Sequence, residues 1–259
     1  MSTDPKTIQS YNKYAKKWTQ KMRSGNNTAH EYLEKPAMYA KIPDLKGKTV
    51  LCIGCGTGEE CQYLKSRGTK RIIGIDISEE MVNLAKQSFL IAEFQVMNME
   101  KLQFPKDSFD FVYSSLTFSY VKKWTKTLKN IFDVLKPNGT LLFSANHPLK
   151  WGAELKREKD KNTFVLGYIK YKNKDECEIF GDYLNERKIN DIWFEEFPVS
   201  YYHKPLSSSM REILDAGFEI VDFIEPKAII KARKAKMNFW KIHQKIPLFM
   251  IFELRKKNN

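Results

Sequence analysis

Residues 50–60, Val-Leu-Cys-Ile-Gly-Cys-Gly-Thr-Gly-Glu-Glu, decide the fold of this chain. The apolar run 49–53 predicts a short buried strand, and Gly54, Gly56 and Gly58 follow it. A helix-like pattern comes after the third glycine. A strand, a glycine turn and a helix in this order are how an open parallel α/β sheet presents a nucleotide at the carboxyl end of its first strand. Glycine suits such a turn because the backbone can bend sharply and approach a ligand closely.

The spacing of these glycines differs from that of a dinucleotide-binding turn. In Gly-x-Gly-x-x-Gly the pyrophosphate lies at the helix N-terminus, but here the third glycine comes one residue early and Glu59 and Glu60 begin the helix. Two carboxylates suit the positive end of a helix dipole, yet they would repel a pyrophosphate. The turn therefore predicts an adenosyl ligand without phosphates.

An acidic residue ends the second predicted strand. The run Ile72-Ile73-Gly74-Ile75 leads into Asp76, twenty-two residues after Gly54. An acid at the tip of this strand can accept hydrogen bonds from a ribose diol.

With these residues the sequence resembles the class I S-adenosylmethionine-dependent methyltransferases, in particular the small-molecule group called type 11 or ubiquinone/menaquinone-biosynthesis-like. The matching landmarks occur in order at 50–58, 73–81, 98–104, 108–110 and 135–140. The resemblance covers roughly residues 8–149 and returns at 201–225. It implies an α/β, Rossmann-like, seven-stranded and mostly parallel sheet with an antiparallel edge strand and helices on both faces. It also implies S-adenosylmethionine as the cofactor, S-adenosylhomocysteine as the product and no metal.

The resemblance further assigns a set of cofactor-binding residues: Tyr14 on a lid helix, Gly54, Cys55, Gly56 and Gly58 in the turn, Asp76 for the ribose, Ile77, Met81, Asn98 and Met99 around the adenine, and Ser114 near the methionine moiety. For Tyr14, Ile77 and Met81, ordinary packing is the alternative interpretation.

Two positions depart from the family pattern. Asn98 stands where an Asp is usual, although its carbonyl oxygen can still accept a hydrogen bond. Cys52 stands where the family usually has an acid that helps to hold the amino group of the cofactor. Because a thiol cannot replace that charge, we expect weakened or differently arranged recognition of the amino group.

Three residues are candidates for assisting the methyl transfer. His147 follows the predicted fifth strand, His203 lies where the chain returns to the core, and Tyr120 follows the fourth strand near the position of a histidine pair in many relatives. A side chain in such a place could remove a proton from the acceptor or orient it. The sequence does not choose among the three, and His147 fits a surface loop equally well.

The pattern divides the chain into four parts: an N-terminal helical lid at 1–45, a cofactor-binding core at 46–149, a substrate cap at 150–203, and the remainder of the core with a basic helical excursion at 204–259. Within them we expect helices at 5–24, 30–42 and 124–135, cap strands at 163–171 and 195–202, a helix capped by Ser207 or Ser208, and strands at 218–224 and 247–254. The cap, a small α+β element rich in aromatic residues, is inserted after the fifth strand.

The charge of the chain leaves other functions open. The 44 Lys and Arg residues exceed the 31 Asp and Glu residues, which gives a formal net charge of +13. An excess of this kind is typical of proteins that bind nucleic acid or anionic surfaces. The main hypothesis is methyl transfer to an O, N or C nucleophile of a small molecule. An RNA or protein methyltransferase that uses the basic C-terminal face is the less favoured alternative, and a non-catalytic adenosyl-binding protein is a third.

Length and composition indicate a cytoplasmic protein. The 259 residues include no apolar run close to the roughly 20 residues that span a bilayer, and the N-terminus lacks the apolar region of a signal peptide. Cys52 and Cys55 have the spacing of a redox or metal pair, but the glycine turn already accounts for them. We expect all four cysteines, Cys52, Cys55, Cys61 and Cys177, to be buried and reduced. The oligomeric state is open.

Overall fold

The computed structural model describes residues 3–25, 27–172, 174–193 and 196–257. Its α-helices are α1 (Pro5–Lys13), α2 (Ala15–Arg23), α3 (Lys35–Ala40), α4 (Glu59–Ser66), α5 (Glu79–Ser88), α6 (Trp124–Val134), α7 (Pro148–Gly152), α8 (Leu206–Asp215), α9 (Ile230–Ala235) and α10 (Met237–Ile242). A π-helix spans His30–Glu34, and a 3₁₀ helix spans Phe118–Tyr120. None of the described helices is both long enough and apolar enough to cross a bilayer.

The strands are β1 (Thr49–Ile53), β2 (Arg71–Asp76), β3 (Glu93–Val96), β4 (Phe109–Ser114), β5 (Leu135–Asn146), β6 (Glu154–Arg157), β7 (Asn162–Val165), β8 (Gly167–Lys170), β9 (Cys177–Phe180), β10 (Arg187–Trp193), β11 (Phe197–His203), β12 (Phe218–Ile224) and β13 (Phe249–Lys256). A seven-stranded sheet has the order β12-β13-β5-β4-β1-β2-β3. The pairs from β5 to β3 are parallel, and β13 is antiparallel to both β12 and β5. The predicted fold class is confirmed, with the antiparallel strand lying one position inside the edge.

The order of the strands also places the ligand crevice. From β1 the chain builds the sheet outward through β2 and β3, and it then returns to place β4 and β5 on the other side of β1. The direction of winding therefore reverses between β1 and β4. In open α/β sheets, ligands bind beyond the carboxyl ends of the strands at such a reversal.

Strand β1 is buried on both faces, which explains its uninterrupted apolar sequence. Leu51 and Ile53 belong to one buried layer with residues of α6 and α8. Val50 and Cys52 belong to the layer on the opposite face with residues of α4 and α5. Side chains alternate between the two faces of a strand, and a parallel strand covered by helices on both faces has no polar side.

The N-terminal segment is more divided than the sequence predicts. Instead of one helix over 5–24 there are two, because Tyr14 leaves the helical conformation at φ −106° and ψ 13°. The predicted helix over 30–42 consists of the π-helix followed by α3 and ends at Ala40. A π turn shifts the register of the side chains, and apolar periodicity alone does not reveal such a shift.

Helix α1 packs against β11, a strand that comes much later in the chain. The backbone N–H of Ser200 donates a hydrogen bond of 2.8 Å to Oγ1 of Thr7, across a separation of 193 residues. Lys188 of β10 forms an ion pair with Asp4, whose side chain also caps α1. The N-terminal helices are therefore attached to the segment that includes β10 and β11.

Residues 136–139, which follow the predicted helix over 124–135, lie within β5. Phe109 pairs with Leu135, whereas Phe111 pairs with Thr140. The residues between the two partners on β5 therefore bulge out of the ladder, and Asn138 has a φ of 61° there.

Residues 150–203 contain three antiparallel pairs, β6–β7, β8–β9 and β10–β11. The single strand predicted over 163–171 is two strands, β7 and β8, which belong to different pairs. Gly167 begins the second one with a φ of 149°, which other residues rarely adopt. The strand predicted over 195–202 corresponds to β11, although residue 195 lies outside the described residues.

Two local predictions are wrong. Neither Ser207 nor Ser208 caps α8, since the helix begins at Leu206 with Pro205 at the N-cap position and without a side-chain cap. Cys177 is exposed, because it lies on the cap strand β9, which packs no face against the core. Cys52, Cys55 and Cys61 are free and buried, as predicted.

Candidate functional site

A cavity of about 1160 Å³ opens at the carboxyl ends of the parallel strands. Residues that follow β1, β2, β3 and β4 form part of its wall, and Asn146 at the end of β5 adds to it. Side chains of α1, α2 and β10 complete the wall. The cavity therefore lies at the reversal of strand order.

The glycine turn packs closely against a neighbouring segment at Gly54 and faces open space at Gly56. Gly54 and Gly56 have φ angles of 67° and 52°, a region that other residues rarely adopt. A Cβ atom at Gly54 would lie 2.0 Å from Oγ1 of Thr117, so the turn fits tightly against the segment after β4. A Cβ atom at Gly56 would meet nothing within 4 Å. The turn thus leaves space for a ligand over Gly56.

Asp76 is oriented by backbone N–H groups. Gly56 donates a hydrogen bond of 2.9 Å to one carboxylate oxygen, and Ser78 donates one of 2.9 Å to the other. Burial raises the pKa of Asp76, while the hydrogen bonds from the backbone act to lower it. Each carboxylate oxygen can accept a second hydrogen bond, so the Asp76 side chain can still bind a diol in the cavity.

Most of the predicted cofactor-binding residues line this one cavity: Gly54, Cys55, Gly56, Asp76, Ile77, Met81, Asn98 and Met99. The amide oxygen of Asn98 accepts a hydrogen bond of 2.8 Å from the backbone N–H of Glu100, which orients the side chain beyond the end of β3. The side chain of Ser78 caps α5, since it accepts a hydrogen bond from the N–H of Met81. The strand ends therefore bring together residues that are far apart in sequence.

Three predicted cofactor-binding residues do not line the cavity: Gly58, Ser114 and Tyr14. Gly58 is covered by aromatic rings, and a Cβ atom there would lie 2.9 Å from the ring of Phe94. Ser114 is completely buried in β4, and the next residue, Ser115, lines the cavity in its place.

An aromatic cluster, formed by Tyr11, Tyr14, Trp18, Trp193 and Phe197, joins the N-terminal helices to the cap. Trp18 stacks on Trp193 with 5.8 Å between ring centroids, and Tyr11 meets Phe197 edge to face at 5.0 Å. Tyr14, predicted to contact the cofactor, lies 5.6 Å from Phe197 and does not line the cavity. Tyr11, three residues earlier on α1, lines it instead.

Tyr120 lines the cavity, and its hydroxyl oxygen lies 2.7 Å from that of Tyr11. Burial raises the pKa of both phenols. Both hydroxyl groups therefore stay protonated at neutral pH, and Tyr120 adds a neutral hydrogen-bonding group to the wall.

The two histidines predicted as catalytic candidates lie outside the cavity wall. Nδ1 of His147 accepts a hydrogen bond from the N–H of Leu149, and its Nε2 lies 2.8 Å from Oε1 of Glu225. Nε2 of His203 donates a hydrogen bond of 2.8 Å to the carbonyl oxygen of Tyr183. Burial lowers the pKa of both imidazoles. These contacts hold both side chains outside the cavity wall.

A third histidine, which sequence reasoning did not single out, does line the cavity. Nε2 of His30 lies 3.3 Å from Oε2 of Glu34 and 3.4 Å from Oε1 of Glu60. Glu34 is completely buried, and its other oxygen accepts hydrogen bonds from the hydroxyl groups of Ser115 and Ser144. We call His30, Glu34 and Glu60 the His30 cluster. Its only sequence signal is the separation of four residues between His30 and Glu34, which places them on one helix face.

Charges of both signs line the cavity beside the cap. Nζ of Lys150 lies 4.3 Å from the ring centroid of Trp151 and 5.6 Å from that of Phe164. Burial lowers the pKa of Lys150, and the carboxylate of Asp191 acts to raise it. Arg157 pairs with Asp191 at 2.8 Å. This end of the cavity therefore offers rings and charges to a second ligand.

Comparisons with known proteins agree with this geometry. A family model described as a methyltransferase domain matches residues 51–143. An uncharacterized protein of Haemophilus influenzae is 32% identical over 80% of this chain and 81% of its own length. Phosphoethanolamine N-methyltransferase 1 of Arabidopsis thaliana is 26% identical over 66% of this chain, but the match spans only 33% of that longer protein.

Among solved structures, a protein described as an S-adenosylmethionine-dependent methyltransferase from Mesorhizobium loti superposes with a TM-score of 0.73. The match covers 89% of this chain and 99% of that one at 23% identity. The similarity therefore extends over the sheet and most of the segments around it.

Proposed function

We propose that this chain, which belongs to the class I S-adenosylmethionine-dependent methyltransferases, transfers a methyl group to an oxygen, nitrogen or carbon atom of a small acceptor molecule. The observation that carries the proposal is the cavity of about 1160 Å³, whose wall includes both Asp76 and Asn98 and, beside the cap, Lys150 and Trp151. Pockets for single ligands typically measure about 300–1,000 Å³. This cavity can therefore hold the cofactor and a small acceptor together.

The glycine turn and the strand ends fit an adenosyl cofactor. Open space lies over Gly56, and the carboxylate of Asp76 retains capacity for the ribose hydroxyl groups. We assign the adenine to the part of the wall formed by Ile77, Met81, Asn98 and Met99. When bound, S-adenosylmethionine supplies an electrophilic methyl group on a positively charged sulfur.

Positioning of the acceptor and exclusion of water are the main contributions that we assign to the protein. Holding two reactants in line can account for a large part of a rate enhancement. The aromatic cluster covers the cavity with apolar rings, and the protonated hydroxyl of Tyr120 can donate a hydrogen bond to the acceptor. We assign proton removal to neither His147 nor His203, because both lie outside the wall.

A small acceptor is favoured over a macromolecule. The plant relative named phosphoethanolamine N-methyltransferase supports a small acceptor, within the third of its length that matches. The exposed cations of α9 and its end, Lys231, Arg233, Lys234 and Lys236, keep an RNA or protein acceptor as the alternative. Methylation of RNA that weakens steeply with salt would favour that alternative.

Titration calorimetry with S-adenosylhomocysteine tests the proposal. We expect the protein to bind this product, and we expect Asp76→Ala to weaken binding at least about tenfold, as the loss of hydrogen bonds to a charged group predicts. Asp76→Asn, which keeps one acceptor oxygen, should show an intermediate loss. Asp160→Ala, at an exposed position in the cap, is the matched control and should bind normally.

Transfer of labelled methyl groups to a panel of small metabolites then identifies the acceptor class. Absence of heat with S-adenosylhomocysteine, or an unchanged affinity of the folded Asp76→Ala variant, would contradict the proposal. Cofactor binding without turnover on any acceptor would favour a non-catalytic adenosyl-binding protein.

A further inference from the structure

The His30 cluster contains a buried polar atom that lacks a hydrogen-bond partner. His30 is only 7% exposed although it lines the cavity. Among the described residues no group forms a hydrogen bond with its Nδ1, and the carboxylate oxygen of Glu31 approaches it only to 3.8 Å. Buried polar atoms are nearly always paired, so this nitrogen is a candidate to bind a ligand.

The protonation of His30 makes Nδ1 a donor. Burial acts to lower the pKa of its imidazole, but the hydrogen bond and charge of Glu60, together with the charge of Glu34, raise it overall. An imidazolium with Nε2–H directed at these carboxylates presents a second N–H at Nδ1. The natural partner for this N–H is an anionic oxygen.

We propose that His30 and Glu60, supported from behind by Glu34, bind the amino-acid end of S-adenosylmethionine, in place of the strand acid for which this chain has Cys52. The inference rests on the proposed function. The amino-acid end is a zwitterion, so its carboxylate suits the imidazolium of His30, and its ammonium group suits Glu60, which lines the cavity. Glu34 is completely buried behind the wall and contacts His30. One compact cluster therefore complements both charges.

The order of the strands places the cluster where this end of the cofactor must lie. Across the sheet, Asn98 follows β3, Asp76 ends β2, the glycine turn follows β1, and Ser115 follows β4. A ligand with its adenine beside Asn98 and its ribose beside Asp76 extends its remaining end toward β4. Ser115 there donates a hydrogen bond of 2.8 Å to Glu34.

The cluster also accounts for the missing acid on β1. Cys52 and Tyr113 belong to one buried layer, and Tyr39 packs against it. Burial raises the pKa of the phenols of Tyr39 and Tyr113, and the charges of Glu34 and Glu60 add to this effect at both rings. The two glutamates therefore act on the same pair of rings that packs in the layer of Cys52. The carboxylate charge that the family usually carries on this strand is supplied here by the π-helix and α4.

Two ligands that differ only in the amino-acid end provide the test. S-adenosylhomocysteine carries this end, whereas 5′-methylthioadenosine has the same nucleoside and a thioether sulfur without it. We expect His30→Gln and Glu60→Gln each to weaken the binding of S-adenosylhomocysteine at least about tenfold in calorimetry. The affinity for 5′-methylthioadenosine should stay within about twofold, and Glu79→Gln, at an exposed position on α5, should change neither.

The same comparison separates the possible failures. Equal losses for both ligands, or no loss for either, would overturn the role of the His30 cluster. A wild-type protein that binds neither ligand would instead overturn the proposed function. If His30→Gln does not fold, Glu60→Gln decides the question alone.

Cys52→Asp gives an independent check. Because two carboxylates already occupy this neighbourhood, we expect a third to bring no gain in affinity for S-adenosylhomocysteine. A gain of about tenfold would mean that the amino group lacks a carboxylate partner in the wild-type protein, and it would overturn the inference.

Discussion

The imidazole of His30 meets the completely buried carboxylate of Glu34 and the partly exposed carboxylate of Glu60, and these contacts make the stability of the fold depend on pH. The pKa of His30 is raised in the folded protein, because the hydrogen bond and charge of Glu60 and the charge of Glu34 outweigh the effect of burial. The imidazole therefore stabilises the fold fully below its unfolded pKa of about 6.5. This stabilisation is lost as the pH rises through the higher folded pKa.

We predict that His30→Gln lowers the free energy of unfolding by about 3 kcal/mol near pH 6, because it leaves the buried Glu34 and the partly exposed Glu60 without their cation. Near pH 9 the deficit should shrink to about 1 kcal/mol, the value of the lost hydrogen bonds alone. Urea unfolding of the wild type and the variant over this range measures both values.

His243 is the control for this prediction. Burial lowers the pKa of its imidazole, so its contribution to stability should increase with pH and have the opposite sign of dependence. A deficit of His30→Gln that did not change with pH would show that His30 is neutral in the folded protein.

At the scale of single residues, the sequence predicts those contacts that depend only on residues nearby in the chain. The cap formed by Ser78 and the position of Asp76 at a strand end both follow from neighbouring residues, and the structure has both. The contact of Glu34 with Ser144 spans 110 residues and leaves no local pattern. For this reason the sequence does not predict the His30 cluster. It instead favours His147 and His203, which are isolated histidines after predicted strands.

Between elements, the carboxylate of Glu212 connects α8 to α6 and to the residues that precede α8. Glu212 on α8 forms an ion pair with Lys204, and both residues are almost completely buried. The second carboxylate oxygen of Glu212 accepts a hydrogen bond of 2.8 Å from the N–H of Thr125 in the first turn of α6. The first N–H groups of a helix lack partners within it, and no side chain of the N-cap residue supplies one here. Glu212 therefore caps α6 from a neighbouring helix.

We predict that Glu212→Ala lowers the free energy of unfolding by about 3–5 kcal/mol, because Lys204 would remain as a buried and unpaired charge. The double variant Lys204→Met with Glu212→Leu removes both charges and should lose markedly less. Urea unfolding of the three proteins gives the comparison. Equal losses in the single and the double variant would show that the charge on Lys204 is not the reason for the cost.

The helices and strands of the core follow from apolar patterns, and most are confirmed within a few residues. The differences occur where conformation departs from regular periodicity. Tyr14 interrupts an otherwise continuous amphipathic pattern, residues 136–139 bulge within a strand, and Gly167 separates two short strands. In each case the backbone departs from regular geometry at one or a few residues, which apolar periodicity does not reveal.

Across the whole molecule, the aromatic cluster connects the N-terminal helices to the cap over the cavity. Trp18 of α2 contacts three other rings of the cluster, with centroid distances of 5.6 Å to Tyr11, 5.8 Å to Trp193 and 5.7 Å to Phe197. A large ring in such a position mainly stabilises the association of the N-terminal helices with the cap. It contributes less to the stability of the central sheet.

We predict that Trp18→Ala weakens this association by about 2 kcal/mol, somewhat less than the loss of a fully buried tryptophan. Amides of α1, α2 and β11 should then exchange with solvent about thirtyfold faster, while β1 keeps its protection. Hydrogen-exchange mass spectrometry measures this. Trp240→Ala, on α10, is the control and should leave these amides unchanged; uniform acceleration, including β1, would show that the cluster is part of the global core.

The architecture of the whole molecule was the most predictable level. The strand–turn–helix pattern at residues 49–66 and the later landmarks establish the order of a known sheet, and the structure has that sheet. The arrangement of residues 150–203 could not be predicted, because its short exposed strands carry weak patterns and pair only with each other.

The hydrogen bond between Ser200 and Thr7 has a consequence for biosynthesis. A ribosome releases the first helices early, but the strand that holds them emerges 193 residues later. Until then the apolar rings of the N-terminal segment are available to chaperones. The side of the growing sheet that these helices later cover stays exposed to solvent. Closing so long a loop is slow relative to local folding, so the pocket reaches its final form only after β11 has been synthesised.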